Sequence, residues 1–414
     1  MSPSSADPRP PTPSVSNLAA TQPPAVAREV LQRDACLPPG LVPCAVAAHS
    51  ADVFLTGATG FVGAAILWNI LDSSSARVFC HLRAPGIQAG HERLMRGLSA
   101  LGAAPPSWRA RVIPVLGDLT RPRLGITESQ WAEVAAETGE IFHVGALVNH
   151  VAPYSLFRLA NVHATREILR LSATSAQKQI HHISSLGYWS GYCGEPHEAS
   201  RNITGPGTEA AGYLLSKWVS DRLMEQASDR GFPVAIYRLG YVSGGWQGAS
   251  NQRGWLELHL RAFARLRQMP EGDACLAVTP VDMIAPDIWA LSRRPDASGH
   301  AYNLAYREQL ITMADTEQAF ADIGLPVEHV SVATWLASFN AAPHDAYMQL
   351  LDVFLHEPTP QWNAERHAFF QRVSAATGAL LGDPAPFSKT LYLKAMLAGF
   401  VRADQKLRAD GLAA

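Results

Sequence analysis

The chain has 414 residues, 47% of them hydrophobic and 17% charged, with a formal net charge of −2. That length accommodates a full α/β domain with a smaller companion, and the balance is that of a soluble globular protein. So small a net charge gives no reason to expect nucleic acid or an anionic membrane as a partner. No apolar run reaches transmembrane length, and the start lacks the charged end and continuous apolar core of a signal peptide. Five cysteines, at 36, 44, 80, 193 and 275, make no paired zinc spacing. Reduced thiols of a cytoplasmic protein are expected from them, and no metal site.

Ten of the 29 prolines fall within the first 43 residues. Residues 1–50 therefore read as an arm or linker, with Ala27–Leu37 a short helix able to pack on the main domain. The folded core is expected from Ala51. From there apolar runs at Asp52–Thr56, Arg77–Leu82, Arg111–Leu116, Glu140–Val144, Gln179–Ser184 and Pro233–Tyr237 read as strands. Helical patterns lie between them, near 62–72, 88–102, 127–138, 154–174 and 209–230. Alternation of this kind predicts an α/β fold over 51–240, a doubly wound parallel sheet with its ligand at the carboxyl ends of the strands. After Gly240 comes a glycine-rich loop, 244–248, and a helix near 255–267. Residues 241–414 read as a smaller, mainly helical substrate subdomain, with 281–305 a candidate return to the core.

The first strand runs into Thr56-Gly57-Ala58-Thr59-Gly60-Phe61-Val62-Gly63 and then an apolar helix. Strand, glycine-rich turn and helix is the context in which such a string binds a dinucleotide. Gly57, Thr59, Gly60, Phe61, Val62 and Gly63 are the expected cradle, with the pyrophosphate at the helix N-terminus. An acid at the end of the second strand would hold ribose hydroxyls, yet this chain has Cys80-His81-Leu82-Arg83, with Arg93 ten residues on. Guanidinium suits a 2′-phosphate, so Arg83 and Arg93 point to NADPH rather than NADH. Asp118 and Leu119 follow the third strand and are expected near the adenine. Gly145, Ala146 and Leu147 follow the fourth and would lie along the cofactor's ribose.

Tyr213-Leu214-Leu215-Ser216-Lys217 places a phenol and an ammonium at i and i+4 on one helix face. A cation beside a phenol favours its ionised form, which predicts a lowered Tyr213 pKa and easier proton transfer. Only five lysines occur in the chain, which makes the pairing informative. The end of the fifth strand offers two hydroxyls, Ser184 and Ser185. Strand alternation aims one of them at the site, and Ser185 is the choice, as a donor to the oxygen that gains charge during carbonyl reduction.

These residues resemble the extended short-chain dehydrogenase/reductases, and within them the thioester reductase domains of nonribosomal peptide and polyketide synthetases and of carboxylic acid reductases. The resemblance covers about Val53 to Pro286. Its most specific pieces are Thr56–Gly63, Cys80–Ala84 with Arg93, Gly145-Ala146-Leu147-Val148-Asn149, Asn161-Val162-His163-Ala164-Thr165, His182–Ser185, Gly212–Trp218 and Arg238-Leu239-Gly240. It implies a Rossmann fold and reduction by NADPH of a thioester on a carrier protein's phosphopantetheine arm, to an aldehyde and in a second round an alcohol. It also implies that Tyr213 donates to the oxyanion with help from Ser185, while Lys217 lowers the Tyr213 pKa and holds the nicotinamide ribose. The family often has threonine in place of Ser185, glycine in place of Ala164, and Val-Pro-Val-Asp where this chain has Val278-Thr279-Pro280-Val281-Asp282.

Other features read more plainly. His181-His182 on a strand would put one ring in and one out, as core packing. Arg261, Arg265 and Arg267 read as a solvated helix face, with an acidic carrier helix or a phosphate as the alternative. A dehydrogenase or epimerase acting on a free small molecule is the competing function, and a non-redox NADP sensor a third.

Overall fold

The computed structural model describes residues 26–149, 152–187, 212–245, 251, 254–272, 275–305, 310–355, 364–381 and 388–403. The proline-rich residues 1–25, Cys193 and the 246–248 part of the glycine-rich loop lie outside them. In chain order the first elements are α1 (Arg28–Asp34), β1 (Val53–Thr56), α2 (Phe61–Ser73), β2 (Val78–Leu82), α3 (Ile87–Ser99) and β3 (Val112–Leu116). Then come α4 (Glu128–Glu137), β4 (Glu140–His143), α5 (Tyr154–Phe157), a π-helical turn (Arg158–His163), α6 (Ala164–Ser172), β5 (Gln179–Ser185), α7 (Gly212–Asp229) and β6 (Val234–Leu239).

The second part holds β7 (Tyr241–Ser243), α8 (Trp255–Leu266), β8 (Gln268–Pro270), β9 (Cys275–Pro280), α9 (Val281–Ser292) and β10 (Ala301–Leu304). It continues through β11 (Leu310–Thr312), α10 (Met313–Asp322), β12 (Glu328–Val330), α11 (Val332–Ala341), α12 (Ala346–Leu355), α13 (Ala364–Leu381) and α14 (Lys389–Ala403).

Seven strands form one parallel sheet in the order β10-β6-β5-β4-β1-β2-β3. The chain moves outward from β1 to β3 and then returns to lay β4 on the other side of β1. That reversal opens a crevice at the carboxyl ends of β1 and β4, where doubly wound sheets bind their ligands. β1 and β2 are buried along their whole length, as strands covered on both faces must be. One apolar layer joins Val53, Leu55, Leu67, Ile70, Val78 and Cys80 to Ile284 and Ile288 of α9. The opposite layer joins Phe54, Phe79 and Ile141 to Ile168 of α6 and Val219 and Leu223 of α7. Full burial of each such side chain contributes about 1.5–3 kcal/mol before entropy is set against it.

Both layers draw in segments outside residues 51–240, as the expectations for Ala27–Leu37 and for 281–305 require. Leu31, Ala35, Leu37 and Leu41 are buried in the same cluster as Phe54 and Ile141, so residues 28–41 belong to the folded core. The helix expected within Ala27–Leu37 does pack on the main domain, and the buried stretch runs on to Leu41: four apolar side chains offset the ordering entropy of this part of the proline-rich segment. At the other end, α9 packs on the sheet and β10 adds its last strand beside β6. The smaller unit has its own core, in which Leu256, Phe263, Trp335, Phe339, Tyr392 and Phe400 meet. Among the described residues no helix is long and apolar enough to cross a membrane.

Candidate active site

The turn after β1 is shaped by how closely backbone approaches backbone. Gly57 has φ +78°, and a Cβ there would stand 2.7 Å from the Gly145 nitrogen. A Cβ on Gly63 would stand 2.0 Å from the Gly57 carbonyl oxygen. The turn is closed by the Gly60 N–H donating to the Gly57 oxygen at 2.8 Å. Gly60 caps α2 with no side-chain bond, so the N–H groups of its first turn, at Phe61 and Val62, are not engaged by a capping side chain. Such groups favour a phosphate. Thr59 stands in the turn, and Leu119 lies on the β4 side, where a Cβ on Gly145 would meet its methyl group at 2.9 Å. The cradle therefore fits a dinucleotide: glycines let the turn, the strand ends and the helix N-terminus close on one another, with backbone N–H groups at the helix start for the pyrophosphate.

Thr56 ties the two strand ends together. Its Oγ1 accepts the Gly145 N–H at 3.0 Å and lies 2.8 Å from His143 Nδ1. Burial, with the nearby His182 and Lys217, holds His143 well below the usual imidazole range, so a neutral ring shares a hydrogen bond with that hydroxyl. Past Ala146, Leu147 is gripped at both backbone atoms. Its N–H donates to Asn161 Oδ1 at 2.8 Å and its carbonyl accepts from Asn161 Nδ2 at 3.1 Å. Asn161 Nδ2 also donates to Ser216 Oγ on α7 at 2.9 Å.

At the end of β2, exposed Arg83 and Arg93 come together, Arg93 Nη1 donating to the Arg83 carbonyl at 2.9 Å. Asp118 sits close by. Burial would raise its carboxyl, but the Thr120 N–H at 2.9 Å, the Thr120 hydroxyl at 2.8 Å, and the charges of Arg83 and His81 hold it below the usual range. Two cations and one ionised carboxylate thus flank the far end of the crevice.

The third group stands on β5 and α7. Tyr213 and Lys217 are one turn apart on α7. Lys217 is 5% exposed and donates to the Ile183 carbonyl at 2.7 Å. Ser184 is buried beneath the site, its Oγ without a hydrogen-bond partner among the described residues. Ser185 is half-buried at the strand end, and its Oγ accepts the Gly187 N–H at 3.0 Å. Burial pushes the Lys217 ammonium down to about 8, against which Asp221 acts only in part. Tyr213 departs from the sequence expectation. Burial, reinforced by Asp221, pushes its phenol up to about 12, so it stays a protonated donor rather than a ready phenolate.

Residues 55–288 match the family of NAD-binding domains described as Male sterility protein. The chain belongs to that family. It is similar to a linear gramicidin synthase of Brevibacillus parabrevis, 33% identical over 298 residues that make up 71% of this chain and 6% of that protein. Its fold superposes on the terminal R domain of a myxalamid PKS-NRPS pathway with TM-score 0.77 and 28% identity, covering 91% of this chain and 97% of that one. A thiolation-reductase di-domain of an archaeal non-ribosomal peptide synthetase shares the fold at TM-score 0.69 and 20% identity, over 91% of this chain and 79% of that one. The chain spans less than a third of the curated relatives it first matches.

Several positions that carried no expected role stand beside the expected ones. Asn161 and Thr56 stood inside quoted motifs without a role, yet each fixes backbone beside the crevice. Gly212 is needed because a Cβ there would stand 2.4 Å from the Tyr154 nitrogen and 2.6 Å from the Ala152 oxygen. The Tyr213 ring meets Phe157 edge-on, with centroids 6.1 Å apart. Two plainer readings are corrected. His181 and His182 are both buried, because helices cover both sheet faces; His181 Nδ1 lies 3.0 Å from the Tyr237 hydroxyl and His182 Nε2 3.4 Å from Asp221. Arg261 is 3% exposed and stacks over Tyr347 and Phe400, while Arg265 pairs with Asp345, so neither belongs to a free solvated face.

Proposed function

We propose that the chain is an NADPH-dependent thioester reductase, releasing an acyl or peptidyl group from a carrier protein's phosphopantetheine arm as an aldehyde, which a second round takes to the alcohol. The observation that carries this is Lys217, one turn from Tyr213 on α7, donating to the Ile183 carbonyl near the end of β5, the strand beside β4. When bound, the reduced nicotinamide supplies the hydride.

Gly57, Thr59, Gly60, Phe61, Val62 and Gly63 hold the pyrophosphate with backbone N–H groups, and Gly145, Ala146 and Leu147 line the ribose. Arg83 and Arg93 take the 2′-phosphate through charge-assisted bonds, with Asp118 and Leu119 toward the adenine. Tyr213 gives its proton to the thioester oxygen as charge develops there, and Ser185 donates to the same oxygen. Lys217 would hold the nicotinamide ribose. The resulting thiohemiacetal expels the carrier thiol and leaves the aldehyde. A carrier protein is the partner in this reading, supplied in trans or by a longer chain. The setting is cytoplasmic, where the free thiols Cys36, Cys44 and Cys80 stay reduced.

The test is loss of nicotinamide absorbance with an acyl-pantetheine thioester, alongside Tyr213→Phe. Thioester-dependent oxidation that falls about 10²–10⁴-fold in the variant supports the proposal. Oxidation unchanged in Tyr213→Phe removes Tyr213 as proton donor, and turnover of free hydroxy compounds alone overturns the thioester reading.

A further inference from the structure

Asp34 ends α1, in the stretch that composition marked as an arm, and it is 1% exposed. A carboxylate is a poor choice there on two counts. It stands at the helix end whose carbonyls already carry partial negative charge, and burial removes its water. Three side chains from one neighbouring segment offset both. The Tyr154 hydroxyl donates to Oδ2 at 2.9 Å, and Arg158 donates through Nε and Nη2 at 2.5 and 2.7 Å. Arg166 Nη2 donates to the Asp34 carbonyl at 2.8 Å.

That segment is the wall of the active site. Tyr154 opens α5, and its backbone nitrogen is the atom against which Gly212, next to Tyr213, packs. Phe157 closes α5 and meets the Tyr213 ring. Arg158 begins the π-helical turn that carries Asn161 to Leu147 and Ser216. π turns are uncommon and persist where surrounding contacts hold them. The contacts from Asp34 to Tyr213 thus run through two residues, Tyr154 and Phe157, on a single four-residue helix.

We propose that Asp34 is a positioning residue for the reduction, holding α5 and the π turn in the register that seats Tyr213 and the Leu147 backbone. This rests on Tyr213 being the proton donor. α1 is then part of the catalytic apparatus rather than a tether.

The experiment compares Asp34→Asn, Tyr154→Phe and Leu41→Ala. Leu41 is buried in the same stretch but touches neither α5 nor the π turn through any of these bonds. Each protein is assayed for kcat and KM with an acyl-pantetheine thioester, and for hydrogen exchange over 144–163, well below its unfolding temperature. Asp34→Asn is expected to lose about tenfold or more in kcat with the thioester KM little changed, since a misplaced donor lowers the rate more than binding. Exchange over 144–163 should quicken. Tyr154→Phe, which removes one hydroxyl and keeps the fold, should show a smaller effect of the same kind. Leu41→Ala should lower the unfolding temperature and leave kcat in place.

Equal losses of kcat in Leu41→Ala and Asp34→Asn would overturn the proposal, because general loosening would then suffice. So would an Asp34→Asn protein with unaltered kcat and exchange. If the unaltered protein turns over no thioester, the proposed function fails, while the exchange comparison still decides whether Asp34 holds the segment.

Discussion

Replacing Gly63 with alanine tests whether the close approach of α2 to its own turn is what shapes the dinucleotide cradle. The new methyl would stand 2.0 Å from the Gly57 oxygen, 2.6 Å from the Gly57 carbon and 3.1 Å from the Ala58 nitrogen. All three are backbone atoms, so no side chain can swing aside. Overpacking of this kind costs about 1–3 kcal/mol, while alanine within a helix recovers about 1 kcal/mol over glycine. The net loss of up to about 2 kcal/mol, set against an unfolding entropy of about 2.1 cal/mol/K per residue, predicts an unfolding temperature lower by up to about 2–3 °C in a chain of 414 residues. The larger effect is on binding. The helix N-terminus must retreat by about 1 Å, and loss of one of its hydrogen bonds to a phosphate, about 1.5–3 kcal/mol, weakens binding about 10- to 100-fold.

Gly97, inside α3, is the control, because a Cβ there meets only the Ala64 methyl, at 3.8 Å. Gly97→Ala should gain up to about 1 kcal/mol and bind NADPH unchanged. Titration of nicotinamide fluorescence and thermal unfolding measure both quantities on both variants. A Gly63→Ala protein that binds NADPH as tightly as the unaltered chain refutes the argument, whatever its unfolding temperature.

Arg83→Ala and Arg93→Ala should each weaken NADPH by about 10- to 100-fold and leave NADH alone, the worth of a charge-assisted bond to phosphate being about 1.5–3 kcal/mol. Equal losses for both nucleotides, in competition titrations, would remove the 2′-phosphate assignment. Because burial holds Lys217 at about 8 against an ordinary 10.5, activity that needs its ammonium should fall as pH rises through about 8. Stability moves the other way. Between about 8 and 10.5 the unfolded chain binds more protons at this lysine than the folded one, so its contribution to stability grows with pH there. Lys217→Met should abolish both trends, and a basic limb that survives the substitution belongs to another group. Tyr213, held at about 12, is not that group.

Much of the site was legible because it is local. Glycines at 57, 60 and 63 and the Tyr213–Lys217 spacing act through turn geometry and helical period, which a string of residues displays directly. The six strands read from apolar runs agree with β1 to β6 to within two residues at either end. Charge at Arg83 and the two hydroxyls of Ser184 and Ser185 were visible for the same reason.

What the tertiary structure decided is everything that depends on what lies opposite. The phenol of Tyr213 is set by burial rather than by the lysine one turn away, because desolvation of a charged form outweighs a neighbour that is itself poorly solvated. Arg261 looked solvated until α12 and α14 laid aromatic rings against it. Asp34 lay on a helix expected to pack, but its partners Tyr154, Arg158 and Arg166 are more than a hundred residues on and were fixed only by the fold. Local periodicity names the residues that can do chemistry. Only the packing of distant segments fixes their charge, their aim and what holds them still.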